Sequence, residues 1–306
     1  MGKWFRIAVR IITAPARLIF WLLKFILQWI ITRFKKIWSF FTHEPDDTPL
    51  TQTFEKAIQS PTSFLLELLA HLAELRWHLI RISVALLIAS VIAFSYTEII
   101  LDWLSQPVGG IDELTAIDIT EPVRVAMRIS LLAGFLITLP YMFFEVLLFV
   151  ADGIKRRARI IFLLLIPIIT ILFAGGMAFA YIIMLPIAIP FLQEFMGIKT
   201  IPRPDSYVRF VTAVMFWMGV ASQFPIASYW LAAIGLVHPS VLLKKWRIAV
   251  VIIAILAAVI TPTPDPVNMM IVFIPLLALY FFGIISSLIA ENSRKRKTKK
   301  QSEKQN

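Results

Sequence analysis

The sequence predicts an all-α membrane protein that crosses the bilayer six times, with both termini on the cytoplasmic side. Three observations carry that expectation: an apolar composition, six long apolar segments behind an amphipathic N-terminal stretch, and basic residues confined to alternate connections. Of the 306 residues, 59% are hydrophobic and only 16% charged, and the mean hydropathy is +0.81. That is far too apolar for a soluble domain of this length. The net charge of +11 would suit nucleic acid. Its basic residues instead gather at the termini and in two short loops between apolar blocks, as an anionic inner leaflet favours. The expected surface partner is therefore membrane lipid, with no nucleic acid.

Residues 1–60 read as a basic, aromatic extension and linker, 61–290 as the six-span core, and 291–306 as a basic cytoplasmic tail. Lys3, Arg6, Arg10, Arg17 and Lys24 recur at spacings of three, four and seven, which places them on one face of a helix whose remainder is Trp, Phe, Leu and Ile. The segment is an interfacial amphipathic helix on this reading. The alternative is a seventh span over Leu18 to Phe34, which would place Lys24 near mid-membrane at a cost of a few kcal/mol. No signal-peptide pattern is present, because Lys24 and Gln28 interrupt the apolar run and no small-residue cleavage site follows. His43 to Pro61, with Pro45, Asp46, Asp47 and Pro49, is a polar linker.

The six apolar segments are Leu79 to Leu101, Val125 to Val150, Ile160 to Phe191, Val208 to Leu236, Ile248 to Ile260 and Val267 to Leu288. The third exceeds the length needed to span, so Pro186 and Pro190 mark its far end or a short helix beyond the membrane. The fifth has only about thirteen apolar residues, about 20 Å of helix against a hydrocarbon core of ~30 Å. It either forms a re-entrant hairpin with the sixth, sits in a thinned bilayer, or is a short helix buried among neighbours. Lys155, Arg156, Arg157 and Arg159 crowd the second connection, and Lys244, Lys245 and Arg247 the fourth; the first holds Asp102, Asp112, Glu113, Asp118 and Glu121. Connections two and four are thus cytoplasmic. Arg124, Arg128 and Arg209, near outer helix ends, are exceptions that snorkel or pair with Asp205 or Glu121.

Several chemistries are excluded. The chain has no cysteine, so disulfides, thiolate catalysis and cysteine-bound metal are ruled out. Of the four histidines only His71 and His78 share a helix face, and they read as interfacial side chains rather than metal ligands. There is no Gly-x-Ser-x-Gly turn, no His-Glu-x-x-His and no Gly-rich phosphate loop. Neither an enzyme nor a resident cofactor is expected. A secondary transporter would call for inverted repeats and midplane charges; the spans hold little beyond Glu145 and Gln223.

Three motifs in order carry a resemblance. They are His-Leu-Ala-Glu-Leu-Arg at 71–76, Thr120-Glu121-Pro122, and Thr-Pro-Thr-Pro-Asp-Pro at 261–266, supported by Phe149 to Gly153 after Pro140 and by Gly219 to Pro225. Over about residues 60–290 the chain resembles the TatC family, the multi-span, signal-recognising component of the twin-arginine (Sec-independent) protein translocase. The resemblance implies a six-helix cup in the cell's inner membrane with both termini cytoplasmic. It also implies binding of folded cargo through a signal with paired arginines, small single-span TatA/TatB-type partners, self-association, and transport driven by the proton-motive force.

The resemblance also implies roles for residues. Paired guanidinium groups need fixed carboxylates, and Glu74 is the first candidate, with Arg76 beside it and Phe149 lining the patch. An ion pair of Glu74 with Arg76 or Arg81 is the plainer reading of the same residue. The family's loop glutamate is replaced here by Ala158, leaving Asp152 or Glu145 to supply the second carboxylate. Gln223 stands where relatives often carry glutamate. Glu121 resembles a position that holds neighbouring copies or partner segments, a solvated loop charge being its alternative. Pro264 and Asp265 form the outer turn, and Pro140, Pro167, Pro186, Pro225 and Pro275 shape the spans.

From the charge distribution, a reporter domain fused after Ser302 is expected to remain cytoplasmic, and deleting residues 1–41 is expected to leave the topology of the core unchanged. An exported reporter, or inverted later loops, would overturn the six-span arrangement.

Overall fold

The computed structural model of the chain describes residues 61–150, 156–194, 201–261 and 266–302. The described residues are helical apart from short connections. In order they form α1 (Pro61–Phe94), α2 (Thr97–Ser105), α3 (Glu121–Val150), α4 (Arg156–Phe179), α5 (Leu185–Gln193), α6 (Pro204–Ala221), α7 (Phe224–Ile234), α8 (Pro239–Lys244), α9 (Trp246–Ile260) and α10 (Pro266–Ser302). The expectation for residues 1–60 lies outside the described residues.

Among the described residues, five stretches are long and apolar enough to cross a membrane: Ala73–Phe94, Glu121–Val150, Arg159–Gln193, Pro204–Ala233 and Met269–Arg294. The expected fifth segment, Ile248 to Ile260, forms the helix Trp246–Ile260 of 15 residues, about 22 Å. Other boundaries also differ from the apolar runs. The first segment does not continue to Leu101: α1 ends at Phe94 in a tightened turn, Ser95 N–H bonding the Ile92 carbonyl and Tyr96 N–H the Ala93 carbonyl. The chain restarts as α2. Hydropathy does not register such a break, because both sides of it are apolar.

Pro186 and Pro190 fall in a separate short helix, α5, at the far end of the third segment. A π-helical turn at Ala180–Met184 joins α4 to α5, widening the backbone just before Pro186, where the ring would otherwise meet the carbonyl four residues back. The turn places Tyr181 so that its ring stacks on Trp103 at 3.8 Å and its hydroxyl donates to the Trp103 carbonyl at 2.6 Å. Tyr207 of α6 donates to the next carbonyl, Leu104, at 2.7 Å. Two tyrosines thus latch the end of α2. A second break, at Ser222 and Gln223, separates α6 from α7; Pro225 lies at the start of α7, where its missing N–H costs nothing.

The chain divides into two units, one comprising Met1–Leu72 with Leu147–Leu163 and the other Ala73–Val146 with Leu164–Asn306. In the first, the described residues are the start of α1, the last turn of α3 and the start of α4, with Leu147 and Leu148 buried. In the second, the buried cluster includes Phe173, Met184, Leu185, Val208, Val211, Met218, Ala257 and Ile284. Phe135 packs against Phe173 and Phe216 at centroid distances of 5.6 and 5.2 Å. α10 lies along α7 and also meets α9 and α8. Tyr280 stacks on Phe224 at 5.7 Å and donates to the Leu242 carbonyl at 2.7 Å.

Helix contacts are closest at glycine. A Cβ on Gly134 would lie 2.7 Å from the backbone nitrogen of Ser90, and one on Gly176 would lie 2.6 Å from the Met218 carbonyl oxygen. Small residues that let backbones meet are how apolar helices gain packing in lipid. Gly175, one residue earlier, has open space around its Cβ position. Gly176→Ala is therefore expected to destabilise by about 1–3 kcal/mol, whereas Gly175→Ala is expected to be neutral or to stabilise by up to about 1 kcal/mol. Thermal unfolding of the two variants in the same micelle checks the difference in sign.

Candidate functional site

Glu74, His78 and Arg81 follow one another at spacings of four and three, so they occupy one face of α1. Opposite that face α3 presents Glu145, with Tyr141 one turn before it. Glu145 has no exposed surface, and its burial would be prohibitive without partners. His78 Nδ1 lies 2.7 Å from Glu145 Oε2, Arg81 Nε lies 3.3 Å from the same oxygen, and the Tyr141 hydroxyl donates to Oε1 at 2.5 Å. Both carboxylate oxygens are engaged. His78 is itself 2% exposed; the expectation that it is an interfacial side chain is corrected, because Glu145 draws it inward. Its Nε2 lies 3.9 Å from Glu74 Oε1, and the Glu74 side chain is 35% exposed. The string Glu145, His78, Glu74 thus runs from a buried carboxylate to an accessible one. Arg76 is exposed, with its guanidinium 5.6 Å from the Trp77 ring.

At the other end of α3, Glu121 is also fully buried. Arg203, the residue before α6, donates Nε to Glu121 Oε1 at 2.9 Å, and its Nη2 bonds the same oxygen. This overturns the alternative of a solvated loop charge: the pair ties the start of α3 to the start of α6. Arg124 bonds Asp118 at 3.0 Å, while Arg128 and Arg209 share Asp205 at 3.6 and 3.2 Å. The expected pairing with Asp205 thus holds for two of the three arginines. Asp118 also accepts the Thr120 backbone N–H at 3.0 Å. The Thr120 amide first, then its hydroxyl and Arg124, hold the Asp118 carboxyl below its ordinary 3.8. The ordering this provides is complete above that value and is lost as pH falls through the lowered one.

Gln223 occupies the break between α6 and α7. Its Nε2 donates to the Ile169 carbonyl at 3.2 Å and to the Gly219 carbonyl at 3.4 Å, the inter-helix hydrogen bond that an amide can make without a charge. Its Oε1 is buried without a hydrogen-bond partner.

A family model described as Sec-independent protein translocase protein (TatC) matches residues 70–275, more than half of the chain. The chain belongs to the TatC family. Among its relatives, the Sec-independent protein translocase protein TatC of Deinococcus radiodurans is 34% identical over 228 residues, covering 72% of this chain and 84% of the relative. That of Carboxydothermus hydrogenoformans is 32% identical over 220 residues, covering 71% and 90%. A crystal structure of the twin arginine translocase receptor TatC aligns with a TM-score of 0.63 at 30% identity, over 72% of this chain and 99% of that one. This TatC-family chain is accordingly a multi-pass helical membrane protein of twin-arginine protein transport.

Of the site residues expected for a TatC-family chain, Glu74 and Glu145 are brought into one cluster through His78. Glu145 is placed differently from the expectation of a signal-facing carboxylate: its oxygens are taken up by neighbours. Phe149 is half-buried near the end of α3 in the first unit. Asp152, Pro264 and Asp265 lie outside the described residues. Sequence reasoning missed His78 and Tyr141 as members of this cluster, although the spacing of 74, 78 and 81 on one helix face was a usable signal. No group of three or more potential metal ligands occurs among the described residues. His78→Phe, which keeps the volume and removes the donor to a charged acceptor, is expected to cost about 2–3 kcal/mol, and Tyr141→Phe about 1 kcal/mol. Thermal unfolding in detergent checks both.

Proposed function

We propose that this chain is the signal-recognising subunit of a twin-arginine translocase. It lies in the cell's inner membrane with both termini cytoplasmic, and works with small single-span TatA/TatB-type partners and further copies of itself. The observation that carries this reading is the pairing of a buried and an accessible carboxylate through one imidazole. Glu74 is presented at the surface of α1 while Glu145 holds His78 in place behind it.

Glu74 receives one guanidinium of the signal by charge-assisted, bidentate hydrogen bonding. Lysine cannot make that planar pair. Glu145, being buried and engaged, acts as an anchor rather than as a second receptor, so the second guanidinium falls to Asp152, with Ala158 marking where relatives carry glutamate. Phe149 contacts the apolar part of the signal, and Arg76 faces the headgroups. Gln223 and Glu121 support partner segments through the geometry of α6, α7 and the Glu121–Arg203 tie. Pro264 and Asp265 shape the outer turn. No group for nucleotide hydrolysis is called on; the proton-motive force drives transport of the folded cargo.

Photo-crosslinking from positions 74, 152 and 158 to a signal peptide bearing Arg-Arg or Lys-Lys, in inverted membranes, tests this. Positions 74 and 152 are expected to label the Arg-Arg peptide and to lose that label with Lys-Lys, and Glu74→Ala is expected to abolish labelling from 152 with the chain still folded. Labelling indifferent to the arginines, or to Glu74→Ala, would overturn the assignment.

A further inference from the structure

His78 stands between two carboxylates, and one of them fixes its hydrogen bonding. Glu145 is fully buried, with Arg81 Nε 3.3 Å from Oε2 and the Tyr141 hydroxyl donating to Oε1 at 2.5 Å. These partners hold it as a carboxylate, which can only accept. His78 Nδ1, 2.7 Å from the same Oε2, therefore carries the hydrogen of that bond. The other ring nitrogen, Nε2, lies 3.9 Å from Glu74 Oε1. In a neutral imidazole that nitrogen holds a lone pair, and in an imidazolium it holds a second N–H.

The two states of the ring act on Glu74 in opposite ways. A lone pair repels the carboxylate and leaves it open to a guanidinium from the surface. An N–H attracts it: 3.9 Å is beyond hydrogen-bond range, and closing by about 1 Å makes a charge-assisted bond. Charge gives the same sign. With His78 neutral, Glu74 and Glu145 stand as two anions against one cation, Arg81, so the cluster takes one added positive charge. A ring proton or a guanidinium supplies it, and each weakens the other. The charged and titratable groups around the ring are Glu74 and Arg81 from α1 and Tyr141 and Glu145 from α3; the buried Arg159 of α4 belongs to the first unit.

We propose that His78 is a positioning residue that works as a proton switch: neutral, it leaves the Glu74 carboxylate open to a guanidinium of the signal, and protonated at Nε2, it claims that carboxylate. This inference rests on the assignment of Glu74 as the guanidinium receptor. Linkage makes the effect reciprocal. Arrival of the guanidinium expels the ring proton to solvent past the accessible Glu74, and acid weakens signal binding.

The test uses the full chain in detergent micelles and a fluorescent, N-acetylated signal peptide with paired arginines and no histidine or carboxylate, with a Lys-Lys peptide as control. Anisotropy titrations run between about pH 5.5 and 8, where imidazole changes charge. The Arg-Arg peptide is expected to bind about fivefold or more tightly at the upper pH than at the lower. Calorimetry in two buffers of different ionisation enthalpy is expected to show a proton released on binding. His78→Gln, which keeps an N–H donor for Glu145 and does not titrate, is expected to hold the high-pH affinity throughout and to release no proton. A ring that served packing alone would weaken binding on replacement by the same factor at each pH. A chain carrying His43→Gln, His71→Gln and His238→Gln keeps His78 as its single histidine; its imidazole NMR signal is expected to titrate with a midpoint that moves to lower pH when the Arg-Arg peptide is added. Arginine-dependent binding that is flat with pH, a pH dependence that survives His78→Gln, or an unmoved midpoint overturns the switch and leaves recognition at Glu74 standing. Binding that ignores the arginines at every pH overturns the recognition reading, and the switch with it.

Discussion

Inside a bilayer no water is available to bond a backbone N–H or carbonyl, and no hydrophobic force pulls one apolar helix toward another. Every local choice in this chain answers to that constraint. The spans are helical because only a helix satisfies its own backbone. Hydroxyls within them turn back onto the carbonyl four residues earlier: Thr138 onto Gly134, Thr212 onto Val208, Ser222 onto Met218 and Thr261 onto Ala257. Helices then hold together where backbones can approach, at Gly134 beside Ser90 and Gly176 beside Met218, and where aromatic rings such as Phe135, Phe173 and Phe216 fill the remaining space.

The same constraint governs the charges. α3 carries two fully buried carboxylates, Glu121 at its first residue and Glu145 near its last turn, and each is neutralised from outside α3. Arg203 supplies one neutralising group; His78 and Arg81 supply the other. A lost partner would leave an uncompensated charge, which is far more costly than the pair is stabilising. α3 is therefore pinned at both ends in one register against α6 and α1. The pin at Glu145 also orders its surroundings: His78, which keeps a buried anion tolerable, stands beside the accessible Glu74.

Breaks in the helices are equally purposeful. The π-helical turn before Pro186 and the interruption before Pro225 each free backbone groups that a neighbouring side chain or a changed turn re-satisfies. The first sets Tyr181 against Trp103, and the second presents Gln223 to the Ile169 carbonyl. The 15-residue α9 is too short for an ordinary bilayer. It survives because Ile253, Ala257 and Ile260 are buried, so one face of it is solvated by protein instead of lipid.

The helical class, most of the spans, the short fifth segment and the family were legible in the sequence, because apolar length and turn motifs are local properties that each segment carries by itself. Glu74 could be singled out as a candidate for the same reason, as part of a contiguous motif. The ends of α1 and α6 were not, since apolar residues on both sides of a turn leave hydropathy unchanged. Nor were the partners of Glu145 and Glu121: a carboxylate's burial depends on what another helix places opposite it, 67 residues away for His78 and 82 for Arg203. Composition specified that such charges had to be paired; only the packing of α1, α3 and the start of α6 determined with what.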